Sequence, residues 1–117
     1  MTTKHKQLEM QIMIALQRRS ERLRVFRFDS GHAFYIWSVE QGQPRRFAYG
    51  NKGWPDLTAG ANGKTVGIEV KVGNDSQNSD QVMMQKSFET MGWIYYLFDD
   101  KKGFNMQIDE ILKCLSI

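Results

Sequence analysis

Cysteine is almost absent from this chain, and so is any long apolar run. The one cysteine, Cys114, has no partner for an internal disulfide, and no Cys/His cluster offers a zinc site. No stretch approaches the ~18 apolar residues of a membrane-spanning helix. The opening Met1-Thr2-Thr3-Lys4-His5-Lys6 lacks the apolar core of a signal peptide. Internal repeats, low-complexity tracts and linkers are missing as well. The 117 residues therefore read as a single domain, 1–117, of a protein that sits in the cytoplasm and crosses no membrane. A large excess of one charge is also lacking: the net charge is +3, which favours an anionic partner only mildly.

What is present concentrates between Gly53 and Lys71. Gly53-Trp54-Pro55-Asp56-Leu57 is followed, across a Gly-rich gap, by Val66-Gly67-Ile68-Glu69-Val70-Lys71-Val72. Side chains alternate faces along a strand, so Glu69 and Lys71 share one face while Ile68, Val70 and Val72 take the other. Asn62-Gly63 between the segments is a hairpin signal. Folding Asp56–Ala59 back on Gly67–Val72 brings Asp56 to Glu69 and Lys71 near one end of the pair.

That trio suits metal-assisted phosphodiester cleavage. Mg²⁺ and Mn²⁺ are held by oxygen donors. Asp56 and Glu69 supply carboxylates, and the Val70 carbonyl can add a third oxygen. Lys71 could orient a water, take its proton, or offset charge on the phosphate, and sequence does not choose among these. A Glu-x-Lys pair alone is more often an ordinary exposed strand face. Pro-Asp one hairpin upstream reverses those odds.

Positive charge gathers in two places. Arg18, Arg19, Arg22 and Arg24 crowd the end of the first helix, while Arg45, Arg46 and Lys52 crowd the approach to Pro55-Asp56. The second group, with Arg27, is the candidate for phosphate contact.

Along the chain, Leu8, Ile12, Ala15 and Leu16 repeat at helical spacing, which predicts a helix over Gln7–Arg19 with Glu9 at the edge of its buried stripe. Arg24–Phe28 and Ala33–Val39 around Asp29-Ser30-Gly31 read as a hairpin, Gln41–Pro44 as a turn, and Arg46–Tyr49 as a short strand. Ser79 is the expected N-cap of a helix over Asp80–Met91, with Gln81 in its first turn and Met83, Met84 and Met91 on a face packing against the sheet or a partner chain. Trp93–Phe98 reads as a buried strand and Ile108–Leu115 as a last helix. His32 and Cys114 carry no chemistry in this reading.

Gly53-x-Pro55-Asp56-Leu57 and Ile68-Glu69-Val70-Lys71 together resemble the VRR-NUC family of the PD-(D/E)XK nuclease superfamily. Glu9 on the first helix and Gln81 after the Lys strand match two further family positions, and Val25–Gly31 is similar to the strand and Ser-Gly turn before its Pro-Asp. The resemblance spans about residues 7 to 98; Trp54 departs from it, standing where the family often has a small or polar residue. It implies an α/β, restriction-endonuclease-like αβββαβ core with a mixed sheet flanked by helices. It further implies a Mg²⁺- or Mn²⁺-dependent endodeoxyribonuclease in which Glu9, Asp56, Glu69, Lys71 and Gln81 form the site. Stand-alone members point to phages or prophages in bacterial hosts, and to homodimers acting on branched DNA as junction resolvases do. A nucleic-acid binding module with lapsed chemistry is the alternative, and a small interaction protein with an exposed acidic pair a third.

Overall fold

The computed structural model describes residues 3–27, 33–38, 40, 42–48 and 53–117, with backbone alone for 33–38 and 44–48. The chain is an α/β protein in which a four-stranded mixed sheet is combined with three helices. The order is α1 (Lys4–Arg19), β1 (Arg24–Arg27), β2 (Ala33–Ser38), β3 (Gln43–Ala48), β4 (Leu57–Ala61), β5 (Lys64–Lys71), α2 (Ser79–Thr90), β6 (Ile94–Asp99) and α3 (Phe104–Cys114).

Helix α1 starts earlier than its apolar spacing predicts. Thr3 caps it, accepting from the Lys6 amide, and so draws Lys4, His5 and Lys6 into the first turn. Asn62 and Gly63 both have positive φ, 54° and 73°, as the expected two-residue hairpin turn requires. That turn sets the β4–β5 register, with Leu57 opposite Ile68 and Ala61 opposite Lys64. The other neighbour of β5 is β6, which runs parallel to it after the crossover through α2.

The expected hairpin between Arg24–Phe28 and Ala33–Val39 does not form. Strand β1 pairs antiparallel with β4 instead, Val25 opposite Ala59, and β2 pairs with β3 in a separate two-stranded sheet. Burial accounts for the choice: Val25 and Ala59 are both in the core, so β1 gains an apolar contact on the main sheet. The Asp29-Ser30-Gly31 turn itself lies outside the described residues. Gln43 and Pro44, expected in a turn, begin β3, Pro44 standing opposite Trp37.

One face of the sheet carries the core. Leu57, Ala59, Val66, Ile68, Val70 and Phe98 meet Ile12 and Leu16 of α1 and Ile108, Ile111 and Leu112 of α3. The alternate residues of β5 turn to the other face, where α2 lies. There Phe88 packs edge-on against Trp54, Trp93 and Tyr95, with ring centroids 5.1–5.7 Å apart. Gly67 makes room for this: a Cβ there would lie 2.5 Å from the Phe88 ring and 2.6 Å from Pro55 Cγ. Gly53, with φ +86°, lets the loop before Pro55 press on the backbone of Asp80 and Gln81 at the start of α2.

Two other expectations change. Strand β6 is an edge of the sheet rather than a buried strand: Phe98 alone is fully covered, and Leu97 is exposed. Of the three methionines at α2, Met84 is half-buried, while Met83 and the C-cap Met91 are more than half exposed, so that face is not sealed against the sheet; Phe88 is the buried residue of the helix.

Candidate metal and catalytic site

The β4–β5 ladder ends at Leu57 and Ile68, and the site occupies the space just beyond. Past that point Val70 has no strand partner on its β4 side. Its N–H donates to Asp56 Oδ2 at 2.8 Å, and its carbonyl accepts from His5 Nε2 at 2.9 Å. Pro55 and the turn after Gly53 set Asp56 in that place, so one side chain both closes the sheet and faces the site.

On the α2 side the groups are tied together tightly. Gln81 Oε1 accepts from Lys71 Nζ at 2.7 Å, and Gln81 Nε2 donates to Glu69 Oε1 at 2.8 Å. Lys71 Nζ also donates to the Ser76 carbonyl and stands 3.7 Å from Glu69 Oε1. The orientation of the amide follows from how α2 begins. Asn78, not Ser79, is the N-cap, and Gln81 closes a capping box with it: Gln81 N–H donates to Asn78 Oδ1 while Gln81 Oε1 accepts from the Asn78 amide. One oxygen therefore serves both the helix cap and the lysine.

Glu69 is 3% exposed, and its Oε2 is buried with no hydrogen-bond partner among the described residues. Its carboxyl is pushed up to about 8, first by burial and then by the nearby Asp56 carboxylate, against which Lys71 acts in the other direction. Tyr95 brings a second buried oxygen with no close hydrogen-bond partner among the described residues, and its hydroxyl is pushed further up by burial and then by the charge of Glu69, with Gln77 acting in the other direction.

On the α1 side the contacts are longer. Glu9, 4% exposed, reaches over the sheet from the helix and binds Arg27 Nε through Oε2 at 3.0 Å. Its Oε1 is 3.4 Å from His5 Nδ1, and His5 Nε2 is 3.3 Å from Asp56 Oδ2. Burial and Asp56 raise the Glu9 carboxyl, with Arg27 and His5 opposing. Ligand atoms of His5, Glu9 and Asp56 all fall within 4.8 Å of one another.

Glu9, Asp56, Glu69, Val70, Lys71 and Gln81 are thus brought to one place. Among the basic residues proposed for phosphate contact, Arg27 is engaged by Glu9. Arg45 and Arg46 lie on β3, where only backbone is described, and Lys52 and His32 lie outside the described residues. Sequence reading missed His5 and Tyr95. The first signal was available: His5 stands one helical turn before Glu9, on the same face, once Thr3 is taken as the cap. Tyr95 shares the face of Glu69 because β6 is parallel to β5, with Tyr95 beside Gly67.

No family model matches this chain, and no curated protein or solved structure matches it either. Among the described residues, no helix is long and apolar enough to cross a membrane.

Proposed function

We propose that this protein is a metal-dependent endodeoxyribonuclease that hydrolyses phosphodiester bonds on a PD-(D/E)XK-type core. The observation that carries the reading is the convergence of Asp56, Glu69 and Lys71 at one strand end, with Gln81 bonded to both Glu69 and Lys71. The chain order also supports it. Taking α1, β1, β4, β5, α2 and β6, with the β2–β3 pair as an insertion, yields the αβββαβ sequence of such a core.

The residues fit Mg²⁺ or Mn²⁺. Two carboxylates, of Asp56 and Glu69, and the Val70 carbonyl are hard oxygen donors, and the buried Glu69 Oε2 lacks any other partner among the described residues. When bound, a divalent cation supplies Lewis-acid polarisation of the phosphate and a more acidic water. The rest falls to the protein. Lys71 is held at a fixed distance from Glu69 by Gln81 and the Ser76 carbonyl, so its ammonium presents charge to a phosphate without first losing side-chain freedom. Glu9, fixed by Arg27, adds a second buried negative group beside Asp56. Arg45, Arg46 and Lys52, basic residues that precede Pro55-Asp56 in the sequence, are the candidates for phosphate contact. Selectivity for branched DNA and action as a homodimer follow from the family resemblance: two strands of a junction require two facing sites.

The test uses the protein and its Glu69→Ala variant on a labelled four-way junction and a matched linear duplex, with Mn²⁺ or with chelator. Metal-dependent cutting of the junction, lost in the variant, is the expected result. Cutting of both DNAs keeps the nuclease and removes the branched preference. Gel retardation of the junction without any cutting makes the protein a binding module.

A further inference from the structure

We propose that His5 is a ligand of the metal, which makes the site one for Mn²⁺ and similar transition cations in preference to Mg²⁺. The inference rests on the metal-dependent reading above and adds a nitrogen donor to an otherwise all-oxygen set. Three placements support it. His5 Nε2 lies 2.9 Å from the Val70 carbonyl oxygen and 3.3 Å from Asp56 Oδ2. Octahedral bonds of about 2.1 Å put adjacent donor atoms about 3 Å apart, so these separations would suit neighbouring donors on one such ion. Both oxygens already belong to the candidate metal set, and His5 faces them from the opposite side of the strand end.

The second support is independent of the histidine. Glu69 is almost wholly buried, yet its Oε2 has no hydrogen-bond partner among the described residues. That oxygen lies buried at the strand end without a protein donor among the described residues, where a divalent cation could complete it. The third is how His5 is held. It is on the first turn of α1, four residues before Glu9, and Thr3 caps that turn. Its imidazole is thereby carried on a helix rather than a loop, with Nδ1 turned to Glu9 Oε1. A carboxylate on the far ring nitrogen is the usual way a ligating histidine is oriented. To bind a metal, the ring would take the other tautomer: the proton leaves Nε2 and is carried on Nδ1, facing Glu9 Oε1, which frees the Nε2 lone pair. The choice of cation follows from the donor: imidazole suits transition metals, whereas Mg²⁺ prefers oxygen and keeps its waters.

The experiment adds Mn²⁺ or Mg²⁺ alone to the full chain, without DNA. Pulsed electron paramagnetic resonance of bound Mn²⁺ reads nitrogen ligation directly, through coupling to ¹⁴N. The expected result is a nitrogen coupling that disappears in His5→Gln and persists in His32→Gln. Calorimetry is expected to show Mn²⁺ affinity falling about tenfold or more in His5→Gln, with Mg²⁺ affinity changing less than about threefold. A metal-free melting curve establishes that His5→Gln is folded, and the His32→Gln result stands whether or not it is. Bound Mn²⁺ with no nitrogen coupling, coupling that survives His5→Gln, or coupling lost in His32→Gln overturns the proposal while leaving the nuclease reading intact. If neither cation binds, the nuclease reading falls too.

Discussion

The two sides of the Asp56–Val70 junction are built differently. Toward α2, Gln81 joins Lys71 and Glu69 through bonds of 2.7 and 2.8 Å and is itself locked into a helix cap. Toward α1, His5 approaches Glu9 and Asp56 at 3.4 and 3.3 Å, and the groups meet as a loose cluster. On the proposed nuclease reading the two sides have different tasks. Short bonds satisfied by a secondary-structure cap fix the Lys71 amine in one place, so that a reaction there would need little reorganisation. Longer contacts among His, Glu and Asp leave donor atoms spaced for a cation to enter between them.

Among substitutions on the α2 side, Lys71→Ala has the largest expected effect. Removing the anchored ammonium is expected to slow DNA cleavage by about 10²–10⁴-fold while the Mn²⁺-induced rise in melting temperature remains. Loss of both together would mean that Lys71 serves the metal side instead. Gln81→Ala comes next. It frees Lys71 and removes one hydrogen bond from Glu69, while every metal donor keeps its own oxygen and the core is untouched, so a drop in turnover of about tenfold is expected. The Mn²⁺ dissociation constant should hardly move. An equal fall in metal affinity would place Gln81 with the α1 cluster.

Stability against pH sharpens the same contrast. With the folded Glu69 carboxyl near 8 and the ordinary value at 4.5, the folded protein holds a proton that the unfolded chain has released between those values. Stability without metal is therefore full below about pH 4.5 and is lost as pH rises toward 8. Glu9 is shifted in the same direction. Glu69→Gln should flatten most of this fall, and at pH 8 should melt upward of about 10 °C above the metal-free parent. Melting curves between pH 5 and 8 check it; a parent that gains stability over that range contradicts the burial of an uncompensated carboxyl. The smallest effect is expected from Asn78→Ala, which removes one half of the capping box. It should cost about 1 kcal/mol by denaturant titration and slow cleavage only a few-fold, since Gln81 stays in place.

Much of the candidate site was legible because it depends on local rules. Alternation along Val66–Val72 and the Asn62-Gly63 turn were enough to bring Asp56 beside Glu69 and Lys71, and helical spacing put Glu9 at the edge of the α1 stripe. What stayed hidden depends on partners distant in sequence or on a cap. Strand β1 favours β4 over its chain neighbour because Val25 gains the core there. The continuous apolar run at β6 suggests a central strand, yet its place at the sheet edge leaves Leu97 exposed. His5 enters the site only because Thr3, rather than the first apolar residue, starts the helix. Asn78 outcompetes Ser79 as cap because Gln81, three residues on, can close the box only with Asn78.

The central claim is that Asp56, Glu69 and Lys71 form a working phosphodiesterase site. Its most direct test is a single-turnover time course on one labelled four-way junction at saturating Mn²⁺, comparing wild type with Lys71→Ala and Glu69→Ala. The account predicts cutting by the wild type that chelator stops, strongly slowed in Lys71→Ala and absent in Glu69→Ala. A folded, Mn²⁺-loaded wild-type protein that leaves the junction whole, or variants that cut as fast as the parent, would contradict it.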